Sequence, residues 1–517
     1  MNSAKKRWHK ARRSRQFMCL SIAALLFSSD LFPQESKRSS LTAAEDMISD
    51  TLNVALHEAI LFGLENNPTV TIQRLTPDVV NTLASEARAA FDPVIGLTGQ
   101  RSEMKSLRRL GAQRTPFDLR DRRFDYSLQV SESLPTGTAV TAGVGITGSV
   151  SNLYTDQFTG GFDLTITQSL LRGFGPAANL AALRQARLDL EMSTFELKGV
   201  AESVVADIEK SYWDLYLTRE QMAIQKKSLE LAEQQLEESL ERVAVGKLPV
   251  LELAAVDAEV AARKSALIDA QSQHEQARLR FLYLMNPQSE TFWSIYISAT
   301  DQPFIPTDTL DALAVHDSLG LLYRADLQQA YLALEKGELD VVRTKNGLLP
   351  QLDLFIALGR TSYSETFGKQ AYPNLSSPFY QVVAGINFAM PVPNRQAAAR
   401  LKRAQLTREQ QDMAVQNMTK MVQWDIRSAY AEIWRALQQI EATRVTRELQ
   451  EKRLAAEQEK FRVGKSINYL VLQAQRDFTA SQLDETRAMV AYLYALTDLY
   501  VAEGTLLERR GVETFDR

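Results

Sequence analysis

Residues 204–215 read VVADIEKSYWDL, and residues 422–433 read VQWDIRSAYAEI. Both stretches contain Asp-Ile followed four residues later by Tyr, and their offset is 422 − 204 = 218 residues. A second match has the same offset, since the Val-Gly-Lys of 245–247 recurs at 463–465. Self-similarity at a fixed offset indicates that the chain contains two copies of one structural unit.

The offset changes upstream of these matches. Pro68 and Pro93 are 25 residues apart, as are Ala325 and Pro350, and here the offset is 257 residues. The difference, 257 − 218 = 39 residues, predicts an insertion in the first copy between Pro93 and about Gly175.

The N-terminus has the features of a secretory signal. Residues 1–29 hold seven Lys or Arg and no acid, and they include the apolar run 17–27, which is shorter than the about 20 residues that a membrane-spanning helix needs. Removal of this stretch takes the formal charge from −4 to −4 − 7 = −11, which gives no bias towards nucleic acid. The only cysteine, Cys19, lies inside the predicted signal, so the mature chain would hold neither a disulfide nor a cysteine metal site.

Together these observations predict a chain of five parts. They are the signal peptide at 1–29, the first repeat at 52–285 with its β segment at 93–175, a Pro-containing linker at 286–309, the second repeat at 310–502 with its β segment at 350–392, and a C-terminal tail at 503–517.

A long helix is predicted in each copy. Residues 177–245 contain no Pro and one Gly, and residues 394–463 contain neither. Apolar residues recur there every seven positions, with one interruption, at Ile208, Leu215, Met222, Leu229, Leu236 and Val243, and at Ile426, Ile433, Ile440, Leu454 and Phe461. Heptads sustained this long indicate coiled-coil packing, and a helix of about 69 residues would be roughly 100 Å long.

Shorter helices are predicted on both sides of each long one. They lie at 69–91, 250–285, 326–348 and 466–502. Two of them placed end to end reach roughly 90 Å, which suggests that each long helix packs along a stacked pair. Thr76-Pro77 either starts a fresh helix or kinks the first one.

The middle of each copy is predicted to form strands. Residues 93–176 and 350–393 hold 14 of the 23 glycines. Apolar residues alternate with polar or small ones at Phe124, Tyr126, Leu128 and Val130, at Phe162, Leu164 and Ile166, and at Leu352, Leu354, Ile356 and Leu358. Segments of about ten such residues suit a transmembrane β-barrel, and a soluble sandwich shows the same alternation.

Two tandem copies of helix, β-hairpin, long helix, turn and helix resemble the TolC family of outer-membrane efflux proteins, over nearly all of the mature chain. The local pieces that carry the resemblance are Leu56-His57-Glu58-Ala59 with Asn66-Asn67-Pro68, Leu170-Leu171-Arg172-Gly173, Arg242-Val243-Ala244-Val245-Gly246, Arg462-Val463-Gly464 with Val471-Leu472-Gln473-Ala474-Gln475-Arg476, and Ala502-Glu503-Gly504-Thr505-Leu506-Leu507. Each piece alone is a weak signal, and their order together with the repeat is a strong one.

The resemblance implies a mainly α fold with transmembrane β, in which a homotrimer closes one shared β-barrel in the outer membrane. The helices would form a coiled-coil tunnel through the periplasm. The function implied is a passive outer-membrane channel of a tripartite efflux or type I secretion system. Its partners would be a periplasmic adaptor, an inner-membrane pump and outer-membrane lipid.

The two Val-Gly-Lys turns would then lie at the periplasmic tip, where members of the family meet the adaptor. The expected tip residues are Gly246, Lys247, Leu248, Gly464, Lys465, Ser466 and Tyr469. The two glycines also suit simple left-handed caps that reverse a pair of helices, so their neighbours are the better candidates for adaptor contact.

A departure from the family concerns the tunnel constriction. Family members ring this tip with acidic residues, whereas the corresponding positions here are Leu470 and Gln473. We therefore expect an apolar or amide constriction.

The insertion is a further departure. Family members supply two strands per copy, twelve in a trimer, whereas the first copy here has four strand-like segments, at 93–104, 123–133, 137–150 and 158–171. Six strands per chain would make eighteen, and the rival interpretation folds the extra hairpin as a cap or plug. Segments 105–122 and 151–157 are expected to be outer loops, and residues 101–123 carry eight Arg or Lys against three acids.

Nothing in the sequence predicts an enzyme. His9 lies in the signal, and His57, His274 and His316 have no second His or Cys at the spacing of metal ligands. No nucleophile elbow, zinc-protease or phosphate-loop motif occurs, so no metal or cofactor is expected. The alternative is a trimeric coiled-coil scaffold or adhesin of the cell envelope. An adhesin would place its strands at one chain end, whereas here each β segment interrupts a helical unit.

Overall fold

The computed structural model describes residues 52–109, 116–246, 248–287, 292–305, 310–367 and 377–512. The predicted signal peptide and its Cys19 lie outside the described residues. The α-helices are α1 (Leu56–Asn66), α2 (Pro68–Arg74), α3 (Thr76–Ala89), α4 (Pro176–Asn179), α5 (Ala181–Ala244), α6 (Leu253–Met285), α7 (Leu313–Tyr323), α8 (Ala325–Gly347), α9 (Arg395–Arg462), α10 (Asn468–Glu503) and α11 (Leu506–Arg509). The strands are β1 (Leu52–Val54), β2 (Val94–Arg108), β3 (Phe117–Ser133), β4 (Thr138–Ser151), β5 (Gln157–Ser169), β6 (Ile297–Ala299), β7 (Gln351–Ser364) and β8 (Tyr380–Ala389).

The two long helices form as the sequence predicts. Helix α5 has 64 residues and α9 has 68, which at about 1.5 Å per residue makes them roughly 96 and 102 Å long. In the first repeat α3 and α6 pack along α5, and in the second α8 and α10 pack along α9. The expected pairing of each long helix with shorter ones is therefore present in both copies.

A break between α2 and α3 decides whether Thr76-Pro77 starts a fresh helix or kinks the first one. Helix α2 ends at Arg74, and α3 starts at Thr76 with the proline in its first turn. Proline is tolerated at that position because its missing N–H would have no partner inside the helix. Thr76-Pro77 thus starts a new helix.

An apolar core lies where the two repeats meet, about halfway along the long helices. Tyr212, Phe281, Ile426 and Ile433 are fully buried in one cluster with residues from α1, α10 and α11. The Tyr212 hydroxyl lies 3.0 Å from an Asp301 carboxylate oxygen and 3.1 Å from the backbone oxygen of Val54.

Segments at the repeat boundaries also join this core. Strand β6, inside the stretch interpreted as a linker, pairs in parallel with β1. Beyond residue 502, Leu506 and Leu507 of α11 are completely buried. These pieces cover the core where the long helices would otherwise expose it.

Six strands form one antiparallel sheet in the order β2-β3-β4-β5-β7-β8. The inserted hairpin, β3 and β4, is hydrogen-bonded into this sheet between β2 and β5. Within the chain it is neither a cap nor a plug. The expectation that residues 105–122 form an outer loop is wrong at both ends, because β2 continues to Arg108 and β3 begins at Phe117. Cross-strand pairs such as Lys105 with Arg120 continue the antiparallel ladder between β2 and β3 through this segment.

The turn of the inserted hairpin is attached to the start of the first helical hairpin. Asn179 donates from Nδ2 to the backbone oxygens of Pro135, at 3.0 Å, and Gly173, at 2.8 Å. The N–H of Gly175 donates to the oxygen of Thr136 at 3.1 Å. A Cβ at Gly137, whose φ is +88°, would lie 2.2 Å from the Gly173 oxygen, so only glycine fits there.

The sheet has an apolar face and a polar face. Residues in register on neighbouring strands point to the same side, and one such row is Leu128, Val144, Phe162, Arg360 and Tyr380. The opposite face carries rows such as Gln129, Gly143, Asp163, Gly359 and Gln381. Among the helices that the structure describes, none combines the length and apolar character required to cross a bilayer.

Candidate functional site

The two Val-Gly-Lys turns lie side by side at the end of the helices. Arg242, near the end of α5, donates from a guanidinium nitrogen to the Phe461 backbone oxygen of α9 at 3.2 Å. The same guanidinium lies 4.1 Å from the centroid of the Phe461 ring, a cation–π distance. The ends of the two long helices are therefore joined, and both turns belong to one tip.

The glycines in these turns are left-handed helix caps. Gly246 has φ of +72° and Gly464 has φ of +77°. Their N–H groups donate to the oxygens of Val243, at 2.9 Å, and Phe461, at 3.0 Å. A Cβ at either glycine would meet none of the described residues within 4 Å, so the requirement for glycine comes from the backbone conformation.

The other expected tip residues differ in exposure. Tyr469 is 65% exposed and Lys465 is exposed, whereas Leu248 is half-buried. Ser466 donates from its hydroxyl to Glu457 at 2.8 Å. Lys247 lies outside the described residues. Of this set, Lys465 and Tyr469 offer the most accessible side chains.

Sequence reasoning missed a group of exposed apolar residues at this tip. They are Val245, Val250, Leu251, Val463 and Ile467, which are between 60% and 89% exposed. The signal that could have found them is their position within five residues of the glycine caps, where a turn has no core to bury them. A patch of this kind marks an interaction site.

The residues predicted to narrow the tunnel lie on the first turn of α10 and just after it. Leu470 is 38% exposed and Gln473 is half-buried. Neither is charged, so the described residues place no acid at these two positions.

Above the tip, the seam between α5 and α10 is polar. Gln235 donates from its amide to Asn468 at 3.1 Å, and the hydroxyls of Ser228 and Thr479 are 3.3 Å apart. The expected heptad position Leu236 is only half-buried. Along the distal half of α5, α10 therefore covers the polar stripe next to the predicted heptad residues.

A buried ion pair joins the repeats in the same region. Glu259 of α6 is 2% exposed and accepts from Nε of Arg263 at 2.7 Å and from Nε of Arg476 at 2.8 Å. Burial raises the pKa of this carboxyl, but the hydrogen bonds and charges of Arg476 and Arg263 outweigh it and leave the pKa below its ordinary value. Glu259 thus stays ionised between two arginines.

A second buried carboxylate lies in the central core without such partners. Glu202 of α5 is 4% exposed, and within the described part of the chain its one ion pair is with Lys198 at 3.9 Å, too far for a hydrogen bond. Its Oε1 has no hydrogen-bond partner among the residues that the structure describes. Burial raises the pKa of Glu202 to about 7. Among the described residues, no group of three or more His, Cys, Asp or Glu side chains could hold a metal ion.

Long helical hairpins with a joined tip, continuous with an antiparallel sheet that is apolar on one face, define the class of outer-membrane channel subunits. Within that class the chain belongs to the outer membrane efflux protein family, whose model matches residues 63–286 and 318–505. The matched segments contain both helical repeats. A search of curated protein sequences found no significant match.

Solved structures show the same fold at low sequence identity. The CusC channel superposes with a TM-score of 0.67 at 16% identity, over 88% of this chain and 93% of CusC. The outer membrane protein VceC of Vibrio cholerae gives 0.64 at 16% identity, over 87% of this chain and 96% of VceC. The open MtrE outer membrane channel of Neisseria gonorrhoeae gives 0.61 at 18% identity, over 87% and 89%.

Family membership establishes the general function. The chain is an outer-membrane efflux channel subunit with a helical tunnel in the periplasm. The alternative of an adhesin or scaffold is not favoured, because the match spans both repeats.

Proposed function

We propose that three copies of this chain close one barrel of eighteen strands and conduct solutes passively, without catalysis. The observation that supports this is the six-stranded sheet, whose edge strands β2 and β8 pair with no further strand among the described residues. Leu97 on β2 is 83% exposed and Val382 on β8 is 61% exposed. Unpaired strand edges are not tolerated in a bilayer, so each edge requires the opposite edge of another copy.

The inserted hairpin gives the barrel its size. With strands about 4.8 Å apart and tilted about 40°, eighteen strands have a backbone radius of roughly 18 Å, and twelve have roughly 12 Å. The insertion leaves the helical part as the repeat predicts, because each chain still contributes its long helices and the shorter helices stacked along them. The exit through the membrane is therefore wider than the resemblance to the family implies.

The tip is proposed to receive a periplasmic adaptor, which couples the channel to an inner-membrane pump. Lys465 and Tyr469 are accessible, and the exposed apolar residues around both turns provide a surface that an adaptor would bury. The tunnel is proposed to be narrowest at Leu470 and Gln473. Tripartite efflux and type I secretion both suit this arrangement.

Cysteine cross-linking tests the barrel. Leu97→Cys would be combined in turn with Val382→Cys, Ala384→Cys and Ile386→Cys, in a mature chain that has no other cysteine if the signal is removed. Oxidation in outer membranes should give a covalent trimer for at least one pair. The control joins Leu97→Cys with Leu164→Cys, since β2 and β5 are separated by the inserted hairpin.

The two barrel sizes give different results. A twelve-strand barrel that excludes the hairpin would bring β2 next to β5, and the control pair would cross-link within one chain. Single-channel recording of the purified protein, with its native mass, completes the test. A protein that is not trimeric or forms no conductance would contradict the proposed function.

A further inference from the structure

The apolar face of the sheet becomes basic at the end farthest from the helices. On β2 and β3 the register places Arg101 opposite Phe124, Glu103 opposite Arg122, and Lys105 opposite Arg120. These pairs continue the apolar row of Leu97 and Leu128, so they lie on the same face. Strand β2 begins just after α3, and β5 ends just before α4, so residues 101–105 and 120–124 lie at the end of the sheet far from the helices.

The charges on this part of the face do not cancel. It carries four cations, Arg101, Lys105, Arg120 and Arg122, and two acids, Glu103 and Asp118. Arg122 pairs with Glu103 at 3.2 Å, and Lys105 pairs with Asp118 at 2.9 Å.

Among the described residues, two of the four cations make no ion pair within 4 Å. Arg101 lies 5.4 Å from the centre of the Phe124 ring, and Arg101 and Arg120 make no ion pair within 4 Å among the described residues. Both are exposed. Two guanidinium groups are thus available to an anion.

The opposite end of the same face has no such charge. The outward positions next to the helices, among the described strand residues, are Ile95, Val130, Glu132, Val140, Ile166, Gln168, Leu352, Leu354 and Phe388, without Lys or Arg. A merely solvated surface would not require this asymmetry between the two ends.

The height of the apolar band puts the cations at a membrane surface. From Ile166 to Phe158 along β5 there are eight residue steps, or about 26 Å along the strand and roughly 20 Å along the membrane normal at a tilt of about 40°. Arg122 lies one row beyond the row of Phe124, Gly148 and Phe158. By this estimate, the cations next to the apolar band come near the level at which lipid phosphates follow the hydrocarbon.

We propose that the basic face formed by Arg101, Lys105, Arg120 and Arg122 binds the phosphate groups of the lipopolysaccharide in the outer leaflet. The proposal rests on the proposed function, which places the apolar face in lipid. Guanidinium groups match phosphate geometry with two parallel hydrogen bonds. The outer leaflet is the side that the distal end of the sheet reaches when the helices occupy the periplasm.

The test measures binding of lipid A to the full-length purified trimer by native mass spectrometry. The bisphosphorylated lipid and its fully dephosphorylated form are compared. The variant Arg101→Gln with Arg120→Gln removes the two cations that make no ion pair within 4 Å among the described residues. The matched control, Arg108→Gln with Arg123→Gln, removes the same charge from the opposite face of the same hairpin.

Wild type and control should bind the bisphosphorylated lipid equally, and the dephosphorylated lipid much more weakly. The Arg101→Gln/Arg120→Gln variant should bind the bisphosphorylated lipid about 25-fold more weakly, because each basic residue near an anionic lipid surface contributes about fivefold. Equal binding by that variant, or an equal loss in the control, would overturn the proposal. Conductance measured on the same samples separates this result from failure of the channel, since an intact trimeric channel without phosphate-dependent binding contradicts only this proposal.

Discussion

Arg476 of the second repeat and Glu259 of the first form an ion pair across the polar seam above the tip, with Nε of the arginine 2.8 Å from the carboxylate. Arg263 holds the other carboxylate oxygen at 2.7 Å. The pair connects α10 to α6, where the α5–α10 seam contains amide and hydroxyl contacts such as Gln235 with Asn468. This part of the tunnel therefore depends on directional polar bonds, which can break without exposing a large apolar surface.

Arg476→Gln is expected to loosen the tip. The change leaves the buried Glu259 with one arginine. The interaction free energy across the seam is expected to weaken by about 1–3 kcal/mol. Mean single-channel conductance in planar bilayers should rise severalfold. The matched control is Arg453→Gln, whose exposed pair with Asp477 joins α9 and α10 within one repeat. A conductance equal to that of wild type would show that the pair does not hold the tip.

Glu202→Gln is expected to remove a dependence of stability on pH. The pKa of Glu202 is raised from 4.5 to about 7 in the folded state. Below pH 4.5 the group is protonated in both states. As the pH rises from 4.5 to 7, Glu202 ionises first in the unfolded chain. The free energy of unfolding therefore falls by up to about 3 kcal/mol. The Gln variant should melt at the wild-type temperature at pH 4.5 and at a higher one at pH 8. Equal melting at both pH values would contradict this.

Gly464→Ala should weaken the end of α9 without a steric clash. The φ of +77° costs a residue with a Cβ about 1 kcal/mol, and no atom lies within 4 Å of the added carbon. Amide hydrogen exchange over residues 459–465 should become faster by about fivefold. Lys465→Ala is the control, since that change leaves the cap intact. Unchanged exchange in Gly464→Ala would mean that the cap does not limit fraying.

Leu470→Asp with Gln473→Asp should make the channel more selective for cations. Three chains would place six carboxylates near the proposed constriction, where charges of one sign attract counter-ions. Reversal potentials under a salt gradient should shift towards the cation potential, with a permeability ratio at least threefold above that of wild type. A matched Leu470→Asn/Gln473→Asn variant controls for size and polarity. If wild type already favours cations strongly, the proposed uncharged constriction is wrong.

Asn179→Ala should release the inserted hairpin from the helical part. Its amide donates to two backbone oxygens, those of Pro135 and Gly173, and its loss costs about 1–3 kcal/mol. On gels of samples heated to increasing temperatures, the trimer of this variant should dissociate at a lower temperature than the wild-type trimer. Thr194→Ala, on the exposed face of α5, serves as control because its hydroxyl bonds only within its own helix. Equal dissociation temperatures would contradict a structural role for this junction.

The sequence was informative wherever a feature depends on local periodicity. The long helices and the six strands follow from heptads, alternation and glycine placement, because these patterns decide which residues can be buried in an element. The glycine turns could be located for the same reason, since a left-handed cap needs glycine whatever surrounds it.

Contacts between distant segments could not be predicted in this way. Nothing in the local pattern indicates that Arg476 reaches Glu259, or that α10 covers Gln235 rather than Leu236, because a helix presents adjoining stripes and its neighbour decides which is buried.

By itself, the sequence determined the repeat, the helix and strand types and the turns, because these depend on residues close along the chain. Only the tertiary structure decided that the inserted hairpin joins the sheet and that the cations of β2 and β3 share a face with its apolar residues. The reason is that strand order and register are set by hydrogen bonds between segments far apart in sequence, which local patterns do not specify.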